Sequence, residues 1–75
     1  YIPLCIQGGR KDKVRPGDIL GALTGEAGIN GQVVGKITVA DNASYVAIAR
    51  DSADDALGQL RNGRIKGRKF KVRRL

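Results

Sequence analysis

Seventy-five residues make at most one domain, and one of that size buries only roughly 60% of the surface its unfolded chain exposes. Apolar residues are 41% of the chain and recur along its whole length, which argues against disorder, and no run approaches the ~20 apolar residues of a membrane span. The net charge of +7 is local: Arg61 to Leu75 carries eight positive charges and no negative one, while the rest holds six Lys/Arg against seven Asp/Glu.

A field of one sign at one end of a small domain attracts a polyanion, with nucleic acid the first candidate. The absence of His removes the imidazole as general base and, with a single Cys, removes a zinc site of ordinary composition and any internal disulfide. Cys5 alone fits a reducing, cytoplasmic setting. Tyr1 to Gln7 is too short for a signal peptide, and a chain starting at Tyr1 reads as a piece of something longer or a processed product.

Leu4-Cys5-Ile6-Gln7 alternates as a half-buried strand does, with Leu4 and Ile6 inward and Cys5 and Gln7 outward. Gly8-Gly9 ends it, and Arg10 to Arg15 is a short basic loop in which Asp12 is the single acid. Pro16 opens a helix, Asp18 follows in its first turn, and Ile19, Leu20, Leu23 and Ala27 give it one apolar face. Gly21 and Gly25 weaken this helix and predict close packing; Gly28 is the expected C-terminal cap, with Ile29 folding back on it.

After the turn signal Asn30-Gly31, a second strand spans Gly35 to Val39, with Ile37 and Val39 inward. Asp41-Asn42 turns the chain into a third strand, Ser44 to Arg50, with Val46 and Ile48 inward. Ser52 and Asp55 resemble a capping box for a second helix, whose face is Ala53, Ala56, Leu57 and Leu60 and whose end is Asn62-Gly63. Ile65 anchors the next turn, and Lys69 to Arg73 predicts a fourth strand with Phe70 and Val72 inward.

The order β-α-β-β-α-β predicts an α+β ferredoxin-like split βαβ, similar to RNA-recognition domains: a four-stranded antiparallel sheet with two helices on one face. The other face is expected to display Cys5, Gln7, Lys36, Thr38, Tyr45, Ala47, Lys69, Lys71 and Arg73. Rings on the two middle strands stack unpaired bases in RNA-recognition domains. Here Cys5 and Ala43 occupy two such positions and only Tyr45 keeps a ring, so Tyr45 either stacks a base or merely covers the sheet. The cations are not interleaved with acids as on solubilising surfaces. Arg10, Lys11, Lys13 and Arg15 form a second cluster that this topology brings near Arg64, Lys66, Arg68, Lys69, Lys71 and Arg73.

Gly-x-x-G at Gly25 to Gly28 carries Glu26, which would repel phosphate. Gly35-Lys36 lacks the upstream Gly and following Ser/Thr of a P-loop. Asp54-Asp55 suits the positive end of the second helix better than catalysis.

The runs Arg15-Pro16-Gly17-Asp18-Ile19-Leu20-Gly21-Ala22-Leu23-Thr24-Gly25, Gly35-Lys36-Ile37, Asn42-Ala43-Ser44-Tyr45-Val46 and Gly63-Arg64-Ile65-Lys66-Gly67-Arg68 resemble the C-terminal RNA-binding domain of the DbpA-type bacterial DEAD-box RNA helicases. The likeness runs from Leu4 to Leu75. It implies a module, residues 1–75, following an ATP-dependent helicase core and holding a hairpin of 23S ribosomal RNA near the peptidyl transferase centre during large-subunit assembly; nothing in the sequence requires a dimer, and a monomer is expected. ATP and Mg would belong to that core; no cofactor, catalysis or membrane contact is expected of this stretch. The alternative is a protein-interaction module that docks the open sheet on a ribosomal protein or on the core.

Overall fold

The computed structural model describes residues 1–25 and 28–75. Four strands form one antiparallel sheet: β1 (Ile2–Ile6), β2 (Val34–Val39), β3 (Ser44–Ile48) and β4 (Val72–Arg74), in the spatial order β2-β3-β1-β4. Two helices, α1 (Pro16–Thr24) and α2 (Ala53–Asn62), supply the second layer. This is the expected split βαβ, with β1 and β3 central and β4 beside β1.

The core lies between the layers. Leu4 and Ile6 from β1, Val46 and Ile48 from β3, Ile19 and Leu23 from α1, and Ala56 and Leu60 from α2 are buried in it, and Ile37 and Val39 of β2 pack on its rim. The alternation along each strand dictates this: successive side chains leave a strand on opposite faces, so every second residue meets the helices. Val14 and Ile65 are buried in the same core and pin the two loops that carry most of the cations.

Several expectations need correction. Leu20 is exposed rather than on the buried face of α1, because Ile19 and Leu23, one helical turn apart, already aim at the core. Ala27 lies outside the described residues, as does Glu26. The helix ends at Thr24, whose hydroxyl donates back to the Leu20 carbonyl at 2.8 Å, and Gly25 rather than Gly28 is the cap. Gly28 serves a close approach instead: a Cβ there would stand 2.2 Å from the Leu23 carbonyl oxygen. Ile29 does fold back, its N–H donating to that same carbonyl at 2.8 Å. Among the described residues Gly21 meets no neighbour within 4 Å, so close packing among them does not explain it.

Ser52 makes no capping bond; a 3-10 turn over Arg50–Ser52 leads into α2 and leaves Ser52 at ψ 0, outside the extended geometry a capping hydroxyl needs. Strand β3 stops at Ile48, short of Arg50, and β4 begins only at Val72. Lys69, Phe70 and Lys71 therefore precede the strand, although Phe70 packs against the core as expected, its ring lying against Gly8. Cys5 points away from the helices as expected but is buried, flanked in register by Tyr45 and Arg73.

Candidate nucleic-acid interface

The cations gather where β1 ends. Beyond Ile6 the chain makes a 3-10 turn at Arg10–Asp12 and reaches α1 through Lys13, Val14 and Arg15. Backbone bonds seat this segment on the hairpin between β2 and β3: the N–H of Arg10 donates to the Ala40 carbonyl at 2.8 Å and that of Lys11 to the Asp41 carbonyl at 2.9 Å. Gly9 makes the approach possible, since a Cβ there would stand 2.2 Å from the Ala40 oxygen. Asp18 accepts from the N–H of Arg15 at 3.0 Å and fixes the start of α1.

The second basic segment folds onto the first. Ile65 and Arg68 bond each other in both directions across Lys66-Gly67, at 2.9 and 3.0 Å, and φ is +53° at Lys66 and +78° at Gly67. Two successive positive φ values at the centre of a two-residue loop are the type I′ hairpin geometry. From its tip Lys66 donates to the Lys13 carbonyl at 3.2 Å, and Arg68 stands 3.7 Å from Asp12. The N–H of Gln7 donates to the Lys71 carbonyl at 2.8 Å, which continues the β1–β4 seam toward the same end.

The structure thus brings Arg10, Lys11, Lys13 and Arg15 together with Arg64, Lys66, Arg68, Lys69 and Lys71 around one end of the sheet, all exposed. Of the acids at this end, Asp12 and Asp41 are each paired with an arginine, while Asp18 accepts from the backbone N–H of Arg15. Asp51, Asp54 and Asp55 lie at the opposite end, around the start of α2. Charge is therefore polarised along the strands.

Three predicted residues stand apart from this band. Arg73 and Tyr45 share a row across the open face with Cys5 between them, and Tyr45 is 39% exposed. Lys36 sits with Gly35 in a bulge of β2 where two residues face Ala47. That bulge is part of an edge strand, not a strand-to-helix loop, so Gly35-Lys36 does not form a phosphate cradle of the nucleotide-binding kind. Arg61 and Arg74 point elsewhere, Arg61 to the Val72 carbonyl at 2.9 Å and Arg74 to Asp54 at 3.0 Å.

Sequence reasoning missed Tyr1, whose ring lies over Gly35 on the open face, 3.0 Å from where a Gly35 Cβ would be. Its odd-numbered register with Pro3 and Cys5 was the available signal. Among the described residues no helix is long and apolar enough to cross a membrane, and no three His, Cys, Asp or Glu side chains converge on a metal-sized site.

Fold and charge together define a small split βαβ domain with one cationic end. The chain belongs to the DbpA RNA-binding domain family: the family model described as "DbpA RNA binding domain" matches residues 3–74. Its relatives include the ATP-dependent RNA helicase DbpA of Escherichia coli (strain K12), 51% identical over 72 residues, which are 96% of this chain and 16% of that protein. They also include the ATP-dependent RNA helicase DbpA of Bacillus subtilis (strain 168), 36% identical over 69 residues, 92% of this chain and 14% of that protein. The chain spans about a sixth of the length of these curated relatives.

Proposed function

We propose that this domain holds structured RNA on its cationic end and serves to bring an ATP-dependent DEAD-box RNA helicase to that RNA. The single observation that carries the reading is the seating of the Lys66-Gly67 hairpin on the Arg10–Arg15 segment, which turns two separate cationic stretches into one band. Fixed cations on a rigid frame match the phosphates of a folded RNA, whose backbone positions a protein regardless of sequence. Lysines there act as point charges, while arginines offer planar, two-pronged donors.

The target we propose is a hairpin of 23S ribosomal RNA near the peptidyl transferase centre, engaged during large-subunit assembly. The helicase core would precede this domain in the same cytoplasmic protein and would hold the ATP and Mg. The domain itself binds as a monomer, without catalysis. The relatives' names, each an ATP-dependent RNA helicase, support the helicase part of the reading.

Titration of the 23S hairpin against a hairpin of scrambled loop sequence, at several salt concentrations, tests this. Preference for the native hairpin is expected, with affinity falling steeply as salt rises. Equal affinity for both removes the ribosomal target, and no binding in dilute buffer removes RNA binding altogether.

A further inference from the structure

Arg68 differs from the other cations of the band in how it is held. Phe70, two residues on, lies against the backbone of Gly8, so close that a Cβ on Gly8 would stand 2.5 Å from two ring carbons. Gly8 is itself fixed, its carbonyl accepting a 2.6 Å bond from the buried Ser44 hydroxyl. The ring is thus set on a rigid base. The guanidinium carbon of Arg68 stands 5.2 Å from the centre of that ring, within cation–π range.

A carboxylate stands beside the guanidinium as a second partner. One Asp12 carboxylate oxygen lies 3.7 Å from an Arg68 nitrogen, and the other accepts from the Gly9 N–H at 3.1 Å. Among the described residues no other cation has both an aromatic ring and a carboxylate beside it. The Arg68 backbone is locked by the hairpin bonds to Ile65. Yet its side chain stays 59% exposed, so ring and acid hold the guanidinium without covering it.

A lysine that meets phosphate has no need of such orientation, because the attraction of a point charge is insensitive to tilt. A flat, oriented guanidinium with an uncovered surface is suited instead to a planar ligand. We infer that Arg68 is a specificity-determining residue that stacks one unpaired RNA base on its guanidinium, with Phe70 and Asp12 as its positioning residues and the neighbouring lysines on phosphates. This assignment rests on the RNA-binding reading above and names the class of ligand at one point of the band.

The test uses the 23S hairpin and a set of copies in which each loop nucleotide in turn is abasic. Wild type is expected to lose about tenfold in affinity at one loop position, the loss of a single stacked base. Arg68→Lys keeps the charge. It is expected to bind the intact hairpin about tenfold more weakly, to lose nothing further when that one nucleotide is abasic, and to keep the wild-type salt dependence. Asp12→Asn retains an oxygen for the Gly9 N–H and should show a smaller loss at the same position only. If Arg68→Lys binds the intact hairpin as wild type does, or remains as sensitive to the abasic position as wild type, Arg68 reads no base. Wild-type protein that ignores every hairpin overturns the functional reading as well, so the two failures are separable. An unchanged melting temperature for Arg68→Lys excludes misfolding as the cause.

Discussion

The ammonium of Lys66 reaches the carbonyl of Lys13, 53 residues away in sequence, at 3.2 Å, and these two lysines are the non-glycine residues with positive φ among the described residues. A side chain in the left-handed region costs on the order of 1–2 kcal/mol for most residue types. Both lysines sit at loop tips inside the cationic band, where the geometry places charge at some expense to stability. Asn tolerates this geometry at the first central position of a type I′ turn better than Lys does. Lys66→Asn should therefore raise the melting temperature by about 2–4 °C, the shift of roughly half a kcal/mol in a domain of this size. It should also weaken RNA binding several-fold. Thermal melts and hairpin titrations of the same preparation check both signs; a variant that is more stable and binds as well would show that Lys66 serves only the turn.

The glycines separate into those that space requires and those it does not. Gly9→Ala places a Cβ 2.2 Å from the Ala40 carbonyl oxygen, a backbone atom that cannot rotate away. A loss of about 2–3 kcal/mol is expected, as for overpacking at a rigid site. Gly8→Ala meets the Phe70 ring instead, a side chain rather than a backbone atom, so its cost should be smaller, and forcing the ring aside would displace Arg68 with it. Gly21→Ala meets nothing within 4 Å among the described residues, in an exposed turn of α1, and should stabilise by up to about 1 kcal/mol. Urea unfolding of the three variants should rank them Gly21→Ala, Gly8→Ala, Gly9→Ala from most to least stable.

This division also shows what local sequence conveys. The strands and helices were legible because a buried face repeats every second residue or every third and fourth, and Leu4, Ile6, Val46, Ile48, Ile19 and Leu23 keep that rhythm. The gathering of two cationic clusters followed from strand order, which sets β4 beside β1. What periodicity could not convey depends on contacts distant in sequence. The Phe70 ring meets Gly8, the Arg10–Lys11 backbone docks on Ala40 and Asp41, and Asp12 becomes the partner of Arg68. Each gives a residue a role that its immediate neighbours do not encode. Val14 is the same lesson in small: one apolar residue among cations reads as loop, yet it is buried and anchors that loop.

Cys5 sits on the face turned away from the helices yet keeps only 6% of its surface exposed, between Tyr45 and Arg73. Thiol reagents need access to sulfur, so labelling with a disulfide reagent should be slow in buffer and fast in denaturing urea. Fast labelling of the folded domain would mean that the Tyr45–Arg73 row opens readily.

Polarised charge predicts a response that depends on where a cation sits, beyond how many there are. Each phosphate contact removed should lower the slope of log affinity against log salt by about 0.7–0.9. Lys11→Ala and Lys69→Ala remove exposed cations from the band, so each should weaken hairpin binding and flatten that slope by about one such step. Lys36→Ala, in the β2 bulge, and Arg74→Ala, paired with Asp54, remove the same charge from other parts of the surface and should leave the slope unchanged. Removing Arg74 should not disturb the fold either, because an exposed pair of this kind contributes about 0–1 kcal/mol at most. Titrations of all four variants from low to moderate salt decide the matter: if the four slopes fall alike, net charge governs binding and the band has no special part in it.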